Sequence, residues 1–293
     1  MQIAFHIGAN CTDEDRLLKS ILKNASVLLQ QGIAVPGPGK YRSLIRETIQ
    51  ALDGAPPEPD TRDILIDAIV ENDNLTRLVM SNDNFICVPN RIFGNGVFYE
   101  QAGPKTRALH RLFSGDDIEL FLGIRNPATF LQDAFIRSKA ASISEYLRLM
   151  HPEDIQWSDV VRRIKGAAPD TPLTVWCNED TPLLWEQLIR QMSNVSPQTE
   201  IVGGLDMLST LISDSGMRRL REQLRQNPPQ TEAARNDVIA DIWEQHALED
   251  QVEDVIELAE LDPALIMEMT ENYEDDIAQI TAMEGVTLLM PRS

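Results

Sequence analysis

Ile3-Ala-Phe-His-Ile-Gly-Ala-Asn-Cys-Thr-Asp-Glu-Asp15 is the stretch on which the reading of this chain turns. Ile3 to Ile7 is an apolar run with strand character. Gly8 permits a sharp turn, and an amphipathic helix comes next. Strand, glycine turn and helix in that order form the layout in which backbone N–H groups and a helix N-terminus hold an anion. A phosphate loop of this layout carries Lys or Arg, more glycine and hydroxyls. Cys11, Asp13, Glu14 and Asp15 stand in those places here. Three carboxylates at a helix start favour the helix and oppose a phosphate. The layout marks where a ligand site lies, and the substitutions argue against an ordinary nucleotide in it.

Working outward, the helix after this loop carries Leu17, Leu18, Ile21, Leu22, Ala25, Leu28 and Leu29 as one apolar stripe, ended by Gly32. Three further β-like runs lie downstream: Leu78–Ser81 continuing to Phe85, Ile118–Ile124, and Leu173–Cys177. Arg125-Asn126-Pro127 ends the Ile118 run; Asn126 suits an N-cap and Pro127 a first helical residue. Strands alternating with helices predict an α/β fold, a P-loop-type parallel sheet flanked by helices, with Ile3–Ile7 and Ile118–Ile124 central. Ligands of such sheets bind at the carboxyl ends of the strands. The loops Asn10–Thr12, Asn82–Asn84, Arg125–Asn126 and Asn178–Asp180 are therefore expected to converge. Residues 1–200 are read as the core and 201–293 as a mainly helical extension packed on it, broken at Pro228-Pro229. Gly285–Met290 can return as a short edge strand.

The chain has 293 residues and a formal net charge of -20. Asn236 to Pro291 holds 16 of its 46 acids and no Lys or Arg, which leaves 30 acids facing all 26 bases elsewhere. An acidic C-terminal part disfavours nucleic acid and anionic membranes and suits solubility or a basic protein partner. Ile239, Ile242, Trp243 and Leu248 are expected to pack on the body. Cys11, Cys87 and Cys177 form no CxxC, so neither a disulfide framework nor a zinc ribbon is indicated. With no leader pattern and no apolar run near 20 residues, a cytoplasmic protein without a membrane span is expected.

Taken together, these junctions resemble the sulfotransferase family, in particular compact bacterial sulfotransferase-like proteins. Phe5-His-Ile-Gly-Ala9 matches the family's opening strand, and Thr12 keeps one hydroxyl of its 5′-phosphosulfate loop. Cys11 stands where that loop has lysine, Asp13 where it has glycine, and Glu14 and Asp15 at hydroxyl positions. Arg125-Asn126-Pro127 matches the signature whose Arg, with a Ser eight residues on, holds the donor's 3′-phosphate; that Ser position is Asp133. Met80-Ser-Asn-Asp-Asn-Phe85 is similar to the family's Ser-Ser-Glu segment under the acceptor, with Asp83 at the Glu. The resemblance covers roughly residues 1–190, and Tyr273–Ile277 with Gly285-Val286 is similar to the bacterial subgroup.

The resemblance implies a donor site for 3′-phosphoadenosine 5′-phosphosulfate at Gly8, Ala9, Asn10, Cys11, Thr12, Arg125 and Asp133, with Asp83 as candidate general base. The loss of the lysine implies a degraded site in a non-catalytic or regulatory binding protein. The alternative is an active sulfotransferase acting on a glycan or small hydroxyl acceptor. Each residue also has a plainer role. Thr12 or Asp13 caps the first helix. Cys11 is an inert thiol rather than a nucleophile, because carboxylates surround it. Arg125 binds an anion, or pairs with Asp133 two turns on or with an acid from another loop. Asp83 serves as a base or stabilises a turn. Lys40, Tyr41 and Arg42 face an acceptor or solvent. His110 and His151 lack ligand spacing, so no metal site is expected.

Overall fold

The computed structural model describes residues 1–72, 74–196, 198–248, 256–258 and 260–292. Its strands are β1 (Gln2–His6), β2 (Ile33–Ala34), β3 (Arg77–Ser81), β4 (Phe93–Gly94), β5 (Val97–Phe98), β6 (Asp117–Ile124), β7 (Leu173–Cys177) and β8 (Val286–Leu289). β4 and β5 form a small hairpin. The others make one six-stranded sheet in the order β2-β3-β1-β6-β7-β8, with every pairing parallel. β1 and β6 are central, as expected from their near-continuous apolar runs, which suit strands covered on both faces. Ile3 pairs with Leu78 on one side and Ile118 on the other.

The helices are α1 (Arg16–Leu22), α2 (Ala25–Gln30), α3 (Arg42–Leu52), α4 (Thr61–Ile69), α5 (Ala102–Leu112), α6 (Pro127–Ser138), α7 (Ile143–Leu147), α8 (Trp157–Ala167), α9 (Thr181–Ser193), α10 (Asp214–Gln226), α11 (Glu232–His246) and α12 (Pro263–Thr281). Alternation along β1 divides the core. Ile3, Phe5 and Ile7 face a large cluster that includes Phe98, Phe113, Phe130 and Trp157. Ala4 faces Leu17, Ile21, Trp176, Trp185 and Leu188 under α1 and α9. Each fully buried Ile or Phe of β1 contributes roughly 1.5–3 kcal/mol. Leu208, Met217, Leu220, Ile239 and Ile242 make a third cluster between α10 and α11.

Several local expectations need correction. β3 ends at Ser81 instead of running to Phe85. The Tyr41 hydroxyl accepts from Ser81 N–H (2.9 Å) and donates to Ser81 O (2.7 Å), and Arg42 donates to the same carbonyl. The backbone groups that would continue the ladder are thereby taken, and the chain turns. The first amphipathic stretch is two helices. Asn24 Nδ2 donates to Ser20 O and Val202 O, and this side-chain competition breaks the helix. Leu28 is buried but Leu29 is 47 % exposed, so the stripe stops one residue short. β2 has no counterpart in the sequence pattern; two residues are too few to show a period. Leu248 is 39 % exposed, unlike buried Ile239 and Ile242.

The late apolar piece does return, as β8 on the outer side of β7. The sheet therefore draws on residues far beyond 200. α12 packs against α6, α8 and β8. Its buried Asp276 accepts a hydrogen bond from Ser158 N–H at 2.9 Å, capping α8 from outside. Among the described residues no helix is long and apolar enough to cross a membrane.

Candidate functional site

The strand order reverses about β1, and ligands of such sheets bind in the crevice outside the carboxyl ends of the strands at that point. The four expected loops meet there in a chain of contacts. Asn10 Nδ2 donates to Asn84 Oδ1 (3.1 Å), Arg125 Nη1 to Cys11 O (3.0 Å), and Asn126 N–H to Glu179 Oε1 (2.8 Å). Gly8 is required by the first of these turns. Its φ is +117°, and a Cβ would stand 3.1 Å from the Asp83 carbonyl oxygen. Past His6, β1 keeps its ladder with β6 through Ala9 N–H to Gly123 O (2.9 Å) and Gly123 N–H to Gly8 O (2.8 Å).

The loop after Gly8 is locked from within. Asn10 N–H donates to the Tyr99 hydroxyl (3.1 Å), which donates back to Asn10 Oδ1 (2.8 Å). Tyr99 is buried in an aromatic cluster with Phe98, Phe130 and Trp157, so the large core sets the loop's position. Thr12 Oγ1 donates to Ala9 O (2.8 Å) and closes the turn. Asp13 caps the helix, its Oδ2 accepting from Leu17 N–H at 2.9 Å. A first-turn amide that could face a phosphate thus faces a side chain of the same loop.

Each arginine around the loop is held by a carboxylate. Arg125 is buried and donates to Asp133 Oδ2 (2.5 Å) and Thr129 Oγ1 (3.1 Å) besides Cys11 O. Arg42 grips Asp15 with both terminal nitrogens, Nη1 to Oδ2 at 2.9 Å and Nη2 to Oδ1 at 2.5 Å. Arg137 pairs with Glu14. The Arg42 hydrogen bond holds the Asp15 carboxyl below the usual carboxylate range. Burial raises that of Asp83, with Asp15 and Asp13 adding to it. Asn84 Nδ2 donates to Asp83 Oδ1 (2.9 Å). The Asx turn is made by Asn82, whose Oδ1 accepts from Asn84 N–H (3.1 Å).

Burial pushes the Cys11 thiol up to about 12, so it is a neutral thiol near pH 7. His6 lies on the other face of β1, 1 % exposed, with Nδ1 on Ser81 Oγ (2.8 Å). It cannot reach the thiol's face of the strand. Tyr41 is buried and Arg42 engaged, so of the basic loop Lys40 alone is exposed, 3.5 Å from Glu71. On the β7 side, α12 clasps the crevice. Tyr273 Oη donates to Glu179 Oε2 (3.2 Å), and Asn126 Nδ2 donates to Thr270 Oγ1 (3.0 Å). Among the described residues there is no cluster of three His, Cys, Asp or Glu able to hold a metal.

The structure brings Gly8, Ala9, Asn10, Cys11, Thr12, Asp83, Arg125 and Asp133 to one crevice. Sequence reasoning missed Tyr99, Arg137, Thr270 and the pairing of Arg42 with Asp15. Those contacts span between 27 and 144 residues, and no local pattern announces them. No family model matches the chain, and neither a curated protein nor a solved structure matches it.

Proposed function

We propose that the chain is a non-catalytic binding protein on a sulfotransferase-like scaffold, its donor site converted into a self-neutralised crevice. The observation that carries this reading is the pairing of Arg125 with Asp133 at 2.5 Å, at the position where the resembled family has a phosphate-binding serine. Asp15 on Arg42 and Glu14 on Arg137 repeat the arrangement. A carboxylate about 5 Å from a phosphate opposes it by roughly 3 kcal/mol at an effective dielectric of ~20. The half-buried carboxyl of Asp83 and the exposed amide of Asn84 remain as hydrogen-bonding partners. They suit the hydroxyls of a glycan or small acceptor better than an anion. The exposed acids of α12, Glu268, Glu271, Glu274 and Asp275, suit a basic protein partner.

The alternative reading, an active enzyme transferring a sulfuryl group from 3′-phosphoadenosine 5′-phosphosulfate, is favoured by one feature. Asp83 has a raised pKa in the crevice, nearer to that of a working base. One experiment separates the two. Ligand at about 100 times its Kd stabilises by about 2.7 kcal/mol, a readily measured rise in melting temperature. Millimolar 3′-phosphoadenosine 5′-phosphate is expected to leave the melting temperature unchanged. A clear rise would replace the binding-protein reading with the enzyme.

A further inference from the structure

Three cations without carboxylate partners among the described residues gather elsewhere. A groove of about 510 Å³ runs between the end of α3 and the length of α5 and shares no lining residue with the crevice. Lys105, Arg107 and Arg111 line it, and Asp53 is the one acid in its lining. Among the described residues none of the three cations has a carboxylate within 4.0 Å, although acids outnumber bases 46 to 26 in the chain. Arg111 Nη1 donates to the Gly54 carbonyl at 2.9 Å. Lys105 is half-buried, and burial together with nearby Arg91 disfavours its charge. α5 contains no Asp or Glu, so no i,i+4 partner exists on the helix itself.

The apolar part of the lining is Ile49 and Leu52 from α3, Ala55 beyond it and Ala108 from α5 itself. Gln101, Lys105, Ala108 and Arg111 fall on one face of α5, so the cations border the apolar floor instead of pointing away from it. The volume lies within the range of small-molecule sites. A desolvated cation with no counter-charge beside an apolar wall is incomplete electrostatically, and an anionic head on an apolar body completes both halves.

We propose that this groove binds a small amphiphilic anion, its head held by Lys105, Arg107 and Arg111 and its apolar body lying on Ile49, Leu52 and Ala108. Titration calorimetry on the full chain tests it with decanoate as the probe, inorganic phosphate as head alone and octyl glucoside as uncharged amphiphile. Decanoate is expected to bind at least about tenfold more tightly than either control, the increment of a charge-assisted contact. The double variant Lys105→Gln/Arg111→Gln is expected to lose about tenfold with its melting temperature nearly unchanged, because Arg111 is exposed, Lys105 is half-buried, and removing either strands no carboxylate. Ala108→Leu, which keeps every charge and fills the floor, is expected to weaken decanoate as well. Decanoate no tighter than octyl glucoside would show apolar adhesion without an anion site and overturn the proposal. Unchanged binding in the folded double variant would do the same.

Discussion

At the crevice Arg42, Arg125 and Arg137 each meet a carboxylate of the chain, at Asp15, Asp133 and Glu14. Along α5, Lys105, Arg107 and Arg111 meet none among the described residues. Both regions present cations beside a helix, and a count of charges distinguishes neither. The difference is where acids can reach. Asp13, Glu14 and Asp15 sit on the loop that the crevice arginines surround, and Asp133 faces Arg125 from α6. α5 has no acid of its own. The cations of the first region are already paired within the chain, and the three of the second are not. The place that looks like a phosphate site in sequence is thus the one the fold has closed.

The severest way to break this comparison is to delete residues from 236 onward. That removes the α12 clasp on Glu179 and Asn126 and the β8 strand, and leaves the α3–α5 groove's lining intact. It also uncovers partners of Met269, Tyr273 and Ile280, all buried. Size-exclusion chromatography is expected to show aggregate rather than monomer. A monomer of unchanged melting temperature would make the acidic part a detachable module and the clasp irrelevant.

Arg125→Met against Arg107→Met compares the regions directly. Removing a buried, hydrogen-bonded cation leaves Cys11 O and Asp133 without it and is expected to cost about 3 kcal/mol by urea denaturation. The surface change at Arg107 should fall within about 0.5 kcal/mol. Equal costs would mean that the crevice pair contributes nothing to the fold.

Cys11→Lys with Asp13→Gly tests whether the closed site can be reopened. Loss of the Asp13 cap should cost about 1 kcal/mol. The restored cation should raise affinity for 3′-phosphoadenosine 5′-phosphate by about tenfold over the parent in calorimetry. A folded variant with no gain would show that the loop is not an emptied phosphate site.

The smallest expected effect is at Asp83. Its pKa is raised in the fold by burial, so the folded state holds its proton more tightly than the unfolded chain. Its favourable contribution is full below the unfolded carboxylate pKa and is lost as pH rises through the folded value. Asp83→Asn, which keeps the oxygen that accepts from Asn84, should therefore melt slightly higher than the parent at pH 7. The gain should vanish toward pH ~4, near the reference carboxylate value. Asp15 has the opposite sign. Held low by Arg42, it stabilises above the unfolded pKa and loses that contribution as pH falls through its folded value. A melting difference for Asp83→Asn that ignores pH would place that carboxyl in open solvent.

The sheet was legible because buried parallel strands write themselves as apolar runs: Ile3–Ile7, Ile118–Ile124 and Leu173–Cys177 needed no distant information. Ordering β1 and β6 at the centre came from the same runs. The Asn24 break was not legible, because its cause is a carbonyl at Val202. Nor was the end of β3, set by Tyr41 and Arg42 some 39 to 40 residues away.

For the site, spacing offered Asp133 as one partner for Arg125, since Arg125 precedes α6 and Asp133 lies two turns on, but it left an anion or another acid equally open. The sequence by itself determined the α/β class, the loops expected to meet at the strand ends and the absence of Lys or Arg between Gly8 and Asp15. Each depends on residues adjacent in the chain, where backbone geometry and side-chain type act locally. Only the tertiary structure decided that Asp15 neutralises Arg42, that Tyr99 locks Asn10, that α12 closes the β7 side, and that three cations of α5 line one groove without a carboxylate partner among the described residues. Those outcomes depend on which charges and amides the packed core brings within about 3 Å of one another, the range over which a hydrogen bond acts, and sequence distance carries no record of that.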